Sequence, residues 1–262
     1  MIKKFHIFHI ITPSPWPLIA STQIINMVSL IASRFSVKTS KVIHLINIIT
    51  TSIISSIWWN NTIKESNKEG SHPQPVTTGL KLGILLFITS EVLFFLSFFW
   101  AYFHISLSPN IELGQIWPPI LIKSFNPTNV PLLNTIILIR SGVSVTWSHH
   151  SLLKSNLNNA KKSLMVTCLL GVYFSILQAI EYSQAEFSIN DSSYGSIFFM
   201  ATGFHGIHVI IGTTFLSVNL LYINKIQIRM NHHIGFEMAA WYWHFVDVVW
   251  LFLYISVYWW GK

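Results

Sequence analysis

Residues 79–107 read GLKLGILLFITSEVLFFLSFFWAYFHISL, an apolar run with one acid, Glu91, close to its middle. A hydrocarbon layer of about 30 Å needs roughly 20 residues of helix to cross it, so this run predicts a transmembrane helix. A carboxylate at that depth costs on the order of a few kcal/mol and normally faces the interior of a helix bundle, beside a partner. Glu91 therefore fits two roles: a proton-accepting group or polar anchor, or a carboxyl that ties helices together.

Working outward, the rest of the chain has the same character. Of its 262 residues 52% are hydrophobic and only 10% charged, and the mean hydropathy is +0.52. That balance belongs to a polytopic membrane protein. Seven apolar spans are expected, at 16–33, 42–59, 79–107, 130–150, 163–182, 194–223 and 236–260, within a single polytopic membrane domain covering residues 1–262. Pro13, Pro15 and Pro17 break the chain before the first span, as suits an extended approach to a helix start. Trp16, Trp58, Trp59, Trp117, Trp147, Trp259 and Trp260 fall at or near span ends, where indole rings favour the headgroup level. The connection from Ser108 to Asn129 carries Pro109, Pro118, Pro119 and Pro127 and is expected to be an ordered cap.

Basic residues set the orientation. Lys3, Lys4, Lys64, Lys68, Lys81, Lys154, Lys161, Lys162, Lys225 and Arg229 fall on one side, against Arg34, Lys38, Lys41, Lys123 and Lys262 on the other. The positive-inside rule puts the N-terminus on the cytoplasm-equivalent side and, with seven spans, the C-terminus opposite.

The formal charge of +7 is scattered singly between apolar runs rather than gathered in a patch, which argues against a nucleic-acid partner. Cys168 stands alone, so neither a disulfide nor a thiolate cluster can form within the chain, and it is read as a small packing residue. No phosphate-binding glycine loop, zinc-protease motif or nucleophile elbow is present. The N-terminal MIKKFHIFHIITPSPWPL has no Ser- and Arg-rich leader and no cleavable signal, so no address from the cytosol is expected.

Other polar groups sit inside spans. In the last, Glu237, His244 and Asp247 fall within one arc at about 100° per residue, an inward polar stripe that serves a proton relay or, more simply, a seam gripping a neighbouring helix. The sixth holds GFHGIHVIIG, in which His205 and His208 could ligate haem iron or a metal, while Gly203, Gly206 and Gly212 would admit another helix closely. Packing with hydrogen-bonded histidines is the preferred reading, because a metal centre usually wants three or four converging ligands. The adjacent pairs His149–His150 and His232–His233 point about 100° apart and suit interfacial roles better than chelation. Arg140, central in the fourth span, needs an acid or a wet cleft, with Glu91 one candidate.

Together these residues carry a resemblance. PSPWPL near the start, ITSEVLFFLSFFWAYFH in the third span, SGVSVTWSHHSL from Ser141, YGSIFFMATGFHGIHVIIGTTFL from Tyr194 and GFEMAAWYWHFVDVVWLFLYISVYWWGK at the end are similar to the subunit III family of mitochondrial cytochrome c oxidases, over nearly the whole chain. The resemblance implies an all-α membrane protein of seven transmembrane helices, the first two split from the last five by a lipid-filled cleft. It implies a mitochondrial inner-membrane location with the N-terminus in the matrix and the C-terminus in the intermembrane space. The implied role is non-catalytic: a core subunit of the oxidase that reduces oxygen with electrons from cytochrome c, binding no cofactor or metal itself, with haem and copper in partner subunits. Those partners would be subunits I and II and accessory subunits. The chain would hold phospholipid and sustain proton uptake and turnover of the catalytic subunit.

Residue by residue, Glu91 matches the family's buried carboxylate, known for reaction with hydrophobic carbodiimides. Trp59, Lys64, His72, Lys225 and His232 match positions that look like lipid-headgroup contacts, where cations and imidazoles would meet phosphate. Lys64 stands in place of the usual Arg and loses its bidentate fork, Asn60 replaces a second Arg, and Arg140 occupies a place usually held by a small residue. Two alternatives come from other classes: a stand-alone proton or ion transporter using Glu91, Arg140, His244 and Asp247, and a haem-bearing oxidoreductase using His205 and His208.

Overall fold

A computed structural model describes residues 8–36, 41–111, 114–120, 122–224 and 233–262. Seven α-helices follow in order: α1 Trp16–Ser36, α2 Lys41–Glu69, α3 Gln74–Leu107, α4 Val130–Leu153, α5 Leu157–Ser183, α6 Ser193–Asn224 and α7 Ile234–Leu253. The last runs on as a π-helical turn, Tyr254–Trp259. All seven are long and apolar enough to cross a membrane, and no strand occurs among the described residues.

The expected spans are each present, but several helices outrun them. α2 continues past Trp59 through NNTIKESNKE to Glu69. Hydropathy registers only what lies in hydrocarbon, whereas Lys and Glu extend a helix into water without penalty. α5 likewise starts at Leu157 rather than Ser163, its polar first turn capped by the Asn156 side chain, which accepts from the Asn159 N–H at 3.1 Å.

The chain divides into two compact units, Met1–Leu80 and Lys81–Lys262. In the first, α1 and α2 pack on each other with Ala20 and Asn47 buried. Before α1, the His9 imidazole lies 3.1 Å from Glu65 near the end of α2, and its ring meets His72 edge-on at 5.1 Å.

The second unit has two kinds of packing. α4 and α5 meet along small residues: Ser141, Ser144, Ser148 and Ser151 on one, Ala160, Ser163, Thr167 and Gly171 on the other, all buried. Small side chains bring membrane helices close enough for hydroxyls to bond across the seam. Ser144 and Thr167 share a hydrogen bond of 2.8 Å, and Ser148 Oγ donates to the Ala160 carbonyl at 3.0 Å. α7 closes the group with two buried indoles, Trp243 Nε1 donating to Ser141 Oγ at 2.9 Å and Trp250 Nε1 to Thr135 Oγ1 at 3.0 Å. α3 instead reaches α6 and α7 through large rings, Phe94 on Phe204 and Phe95 on Phe245.

The connection before α4 is an ordered cap in its described part. Trp117 stacks edge-on against Tyr102 and Tyr194, and Phe125 packs on Phe187 and Phe198. Cys168 is a buried free thiol in the core, as a packing residue should be.

Candidate functional site

Glu91 lies midway along α3 and is half-buried. Its Oε2 is 2.9 Å from Nε2 of His208 on α6. The other imidazole nitrogen, Nδ1, is 2.6 Å from the Phe204 carbonyl oxygen one turn back. A carbonyl can only accept, so Nδ1 carries a hydrogen. One further proton is then left between Nε2 and Oε2: imidazolium with carboxylate, or neutral imidazole with carboxylic acid. Phe95, Tyr242 and Phe245 surround the His208 ring at centroid distances of 5.1, 6.3 and 6.1 Å, giving the pair an aromatic wall against hydrocarbon.

His205 and His208 do not converge. His205 is buried and donates from Nε2 to the Val246 carbonyl on α7 at 3.2 Å, while His208 is directed at α3. The two rings serve different helices, which favours packing over shared ligation. Of the three glycines nearby, Gly212 alone marks a close approach: a Cβ there would lie 2.9 Å from Trp243 Cε3. Gly206 faces open space, and Gly203 has only an ordinary contact with Tyr182. The second close approach comes from Gly171 on α5, where a Cβ would meet Thr213 and Trp243 at 2.8 Å.

The arc on α7 is divided among different partners. Glu237 Oε2 forms an ion pair with Lys81 Nζ at 2.6 Å, and Oε1 lies 3.0 Å from His233 Nε2 one turn earlier. Asp247 is largely buried against α4, so close to Gly142 that a Cβ there would come within 2.6 Å of Oδ2. His244 is half exposed, and its Nδ1 stays 3.9 Å from Asp247. Glu237 thus faces α3 and Asp247 faces α4.

Sequence spacing discounts each adjacent histidine pair as a chelator, yet one member of each pair comes together in space. His149, His233 and Glu237 place one ligand atom each within 4.8 Å of one another. The Lys81 ammonium is already ion-paired with the Glu237 carboxylate there, at 2.6 Å.

Arg140 does not pair with Glu91, whose carboxylate is engaged by His208. It is exposed on α4, about 200° round the helix from Gly142 and hence from Asp247. Trp59 and Lys64 are exposed on α2, and His72 is half-buried in the turn that follows. Lys225 and His232 lie outside the described residues.

One acid escaped the sequence reading. Glu181, near the end of α5, is buried and accepts from the Tyr258 hydroxyl at 2.7 Å. The signal that singles out Glu91, a carboxylate inside an apolar run, is present there too, in GVYFSILQAIEYS.

Comparison with known proteins gives a family. The family model described as Cytochrome c oxidase subunit III matches residues 6–262. Cytochrome c oxidase subunit 3 of Drosophila melanogaster is 57% identical over 256 residues, covering 98% of this chain and 97% of that protein. Its counterpart in Anopheles quadrimaculatus is 55% identical over 257 residues, covering 98% of each chain. That of Oryctolagus cuniculus is 51% identical over 262 residues, the full length of both.

Proposed function

The chain belongs to the cytochrome c oxidase subunit III family, and on that premise we propose that it acts as a non-catalytic, lipid-retaining subunit of the terminal respiratory oxidase, supporting proton uptake and turnover by the subunits that hold haem and copper. The observation that carries this reading is the bond between Glu91 and His208. The acid most suited to proton chemistry is held by an imidazole whose second nitrogen is itself tied to the backbone, the arrangement of a helix tie rather than of an open relay. The separation of His205 from His208 points the same way, since two histidines serving different helices are poor joint haem ligands.

The partners in this reading are subunits I and II with accessory subunits. The location is the mitochondrial inner membrane, with the N-terminus in the matrix, in keeping with the uneven sharing of basic residues between the two sides. Phospholipid headgroups would be held by Trp59, Lys64 and His72 in the first unit; Lys225 and His232 are proposed as headgroup contacts from the family resemblance alone. Lysine and imidazole at the headgroup level make charge-assisted bonds to phosphate, and the indole shields them from hydrocarbon.

The test is a reduced-minus-oxidised optical spectrum of the complex in mild detergent, repeated on both fractions after this chain is stripped away. All haem bands should stay with the residual complex, whose oxidase activity should survive but decay faster during turnover. Haem travelling with this chain would overturn the proposal. Phosphorus analysis of the stripped fraction tests the lipid part, which fails if no phospholipid leaves with the chain.

A further inference from the structure

α4 presents an exposed stripe, Leu133, Ile136, Val143 and Trp147, at the spacing of one helix face. Arg140 lies in the middle of that stripe and is exposed with it. Within the described residues it has no acid to pair with. Glu91 is bonded to His208, Glu237 is held by Lys81 and His233, and Asp247 abuts Gly142 on the other side of the helix.

Depth makes this lone cation expensive. α4 has 24 residues, or about 36 Å at 1.5 Å per residue, and Arg140 follows Val130 by about 15 Å of rise. With a hydrocarbon layer of about 30 Å centred on the helix, the Arg140 Cα sits about 12 Å below the nearer headgroup level. An extended arginine side chain reaches roughly 7 Å, so snorkelling leaves the guanidinium still within hydrocarbon. The group cannot shed its proton to escape the cost. An anion delivered at that depth relieves it most directly, and a lipid phosphate stays at the surface.

We propose that the stripe centred on Arg140 is a docking surface for a membrane-spanning helix of another subunit, and that this helix presents an aspartate or glutamate at mid-depth to the guanidinium. The flanking Ile136, Val143 and Trp147 supply the apolar contact on either side of the ion pair, and the planar fork of arginine gives a carboxylate two parallel bonds. The inference rests on the reading of the chain as a subunit of a membrane complex.

The experiment uses the assembled complex carrying Arg140→Met or Arg140→Lys, washed with rising detergent, with the amount of this chain retained read by quantitative mass spectrometry. Arg140→Met should be lost roughly tenfold or more readily than the wild type, because it leaves the partner's acid buried and unpaired, while Arg140→Lys should be retained. On Arg140→Lys a membrane-permeant carbodiimide should form an amide between the new amine and one Asp or Glu of a partner helix, a link absent from the wild type. This second readout stands even where Arg140→Met fails to accumulate. Retention of Arg140→Met equal to the wild type, or a link confined to acids of this chain or lacking altogether, would overturn the docking surface. The wild-type wash separates the two proposals: its loss from the haem-bearing fraction at the mildest detergent overturns the subunit reading and this one with it.

Discussion

At the scale of single residues, the strongest feature is that two acids within the apolar helices are each matched by a partner on another segment. Glu91 with His208 and Glu181 with Tyr258 each bridge two segments of chain. A double-mutant cycle over Glu91→Gln and His208→Phe, read by thermal dissociation in detergent, should give a coupling of about 0.5–2 kcal/mol, the range of hydrogen bonds between membrane helices. Glu91→Gln alone should leave the haem content of the complex unchanged. Outside the spans, Asp191 sits in the turn before α6, accepting from the Ser188 backbone N–H at 2.7 Å and its hydroxyl at 2.8 Å. Those bonds, the backbone one foremost, hold its carboxyl below the ordinary value. A depressed folded-state pKa contributes stability that is complete above the unfolded value and fades as pH falls through the folded one. Protection of the Ser188 amide from hydrogen exchange should therefore hold at neutral pH and weaken below about pH 4, and Asp191→Asn should flatten that dependence.

Between elements, distance is set by what lies at the crossing. Gly171, Gly212 and Trp243 bring α5, α6 and α7 together, with no room for an added carbon. Gly212→Ala should lower the melting temperature of the complex, at a cost of about 1–3 kcal/mol for the displaced indole. Gly206→Ala, which meets open space, should be neutral or gain up to about 1 kcal/mol from helix propensity. Sequence alone marks both glycines, along with Gly203, as places for close approach, and nothing in their spacing tells them apart. The helices themselves were legible because an apolar run of membrane length has few other uses. The ends of α2 and α5 were not, since polar turns of helix read as loop. Glu91 stood out for its surroundings, whereas its partner lies 117 positions away, and such a match depends on how two helices are rotated toward each other. Arg140 and Glu91 look like natural partners on a line of text, and geometry gives each a different neighbour.

For the whole molecule, the same contrast bears on what the chain does by itself. Three of its acids within the spans face separate neighbours: Glu91 meets α6, Glu237 α3 and Asp247 α4. Vesicles holding only this chain should lose an imposed pH gradient no faster than empty ones, and Glu91→Gln should make no difference. A leak abolished by that substitution would restore the transporter reading. The proton shared by Glu91 and His208 has one more consequence, in an energised membrane. Whichever atom holds it, the pair sums to zero charge, so a shift of the proton within it moves charge across 2.9 Å at most. A bare carboxylate exchanging protons with water from the same depth would feel about half of the roughly 2.3 kcal/mol that each 100 mV exerts on a charge crossing the bilayer. The tie between α3 and α6 should therefore keep the same strength whether the membrane is polarised or collapsed.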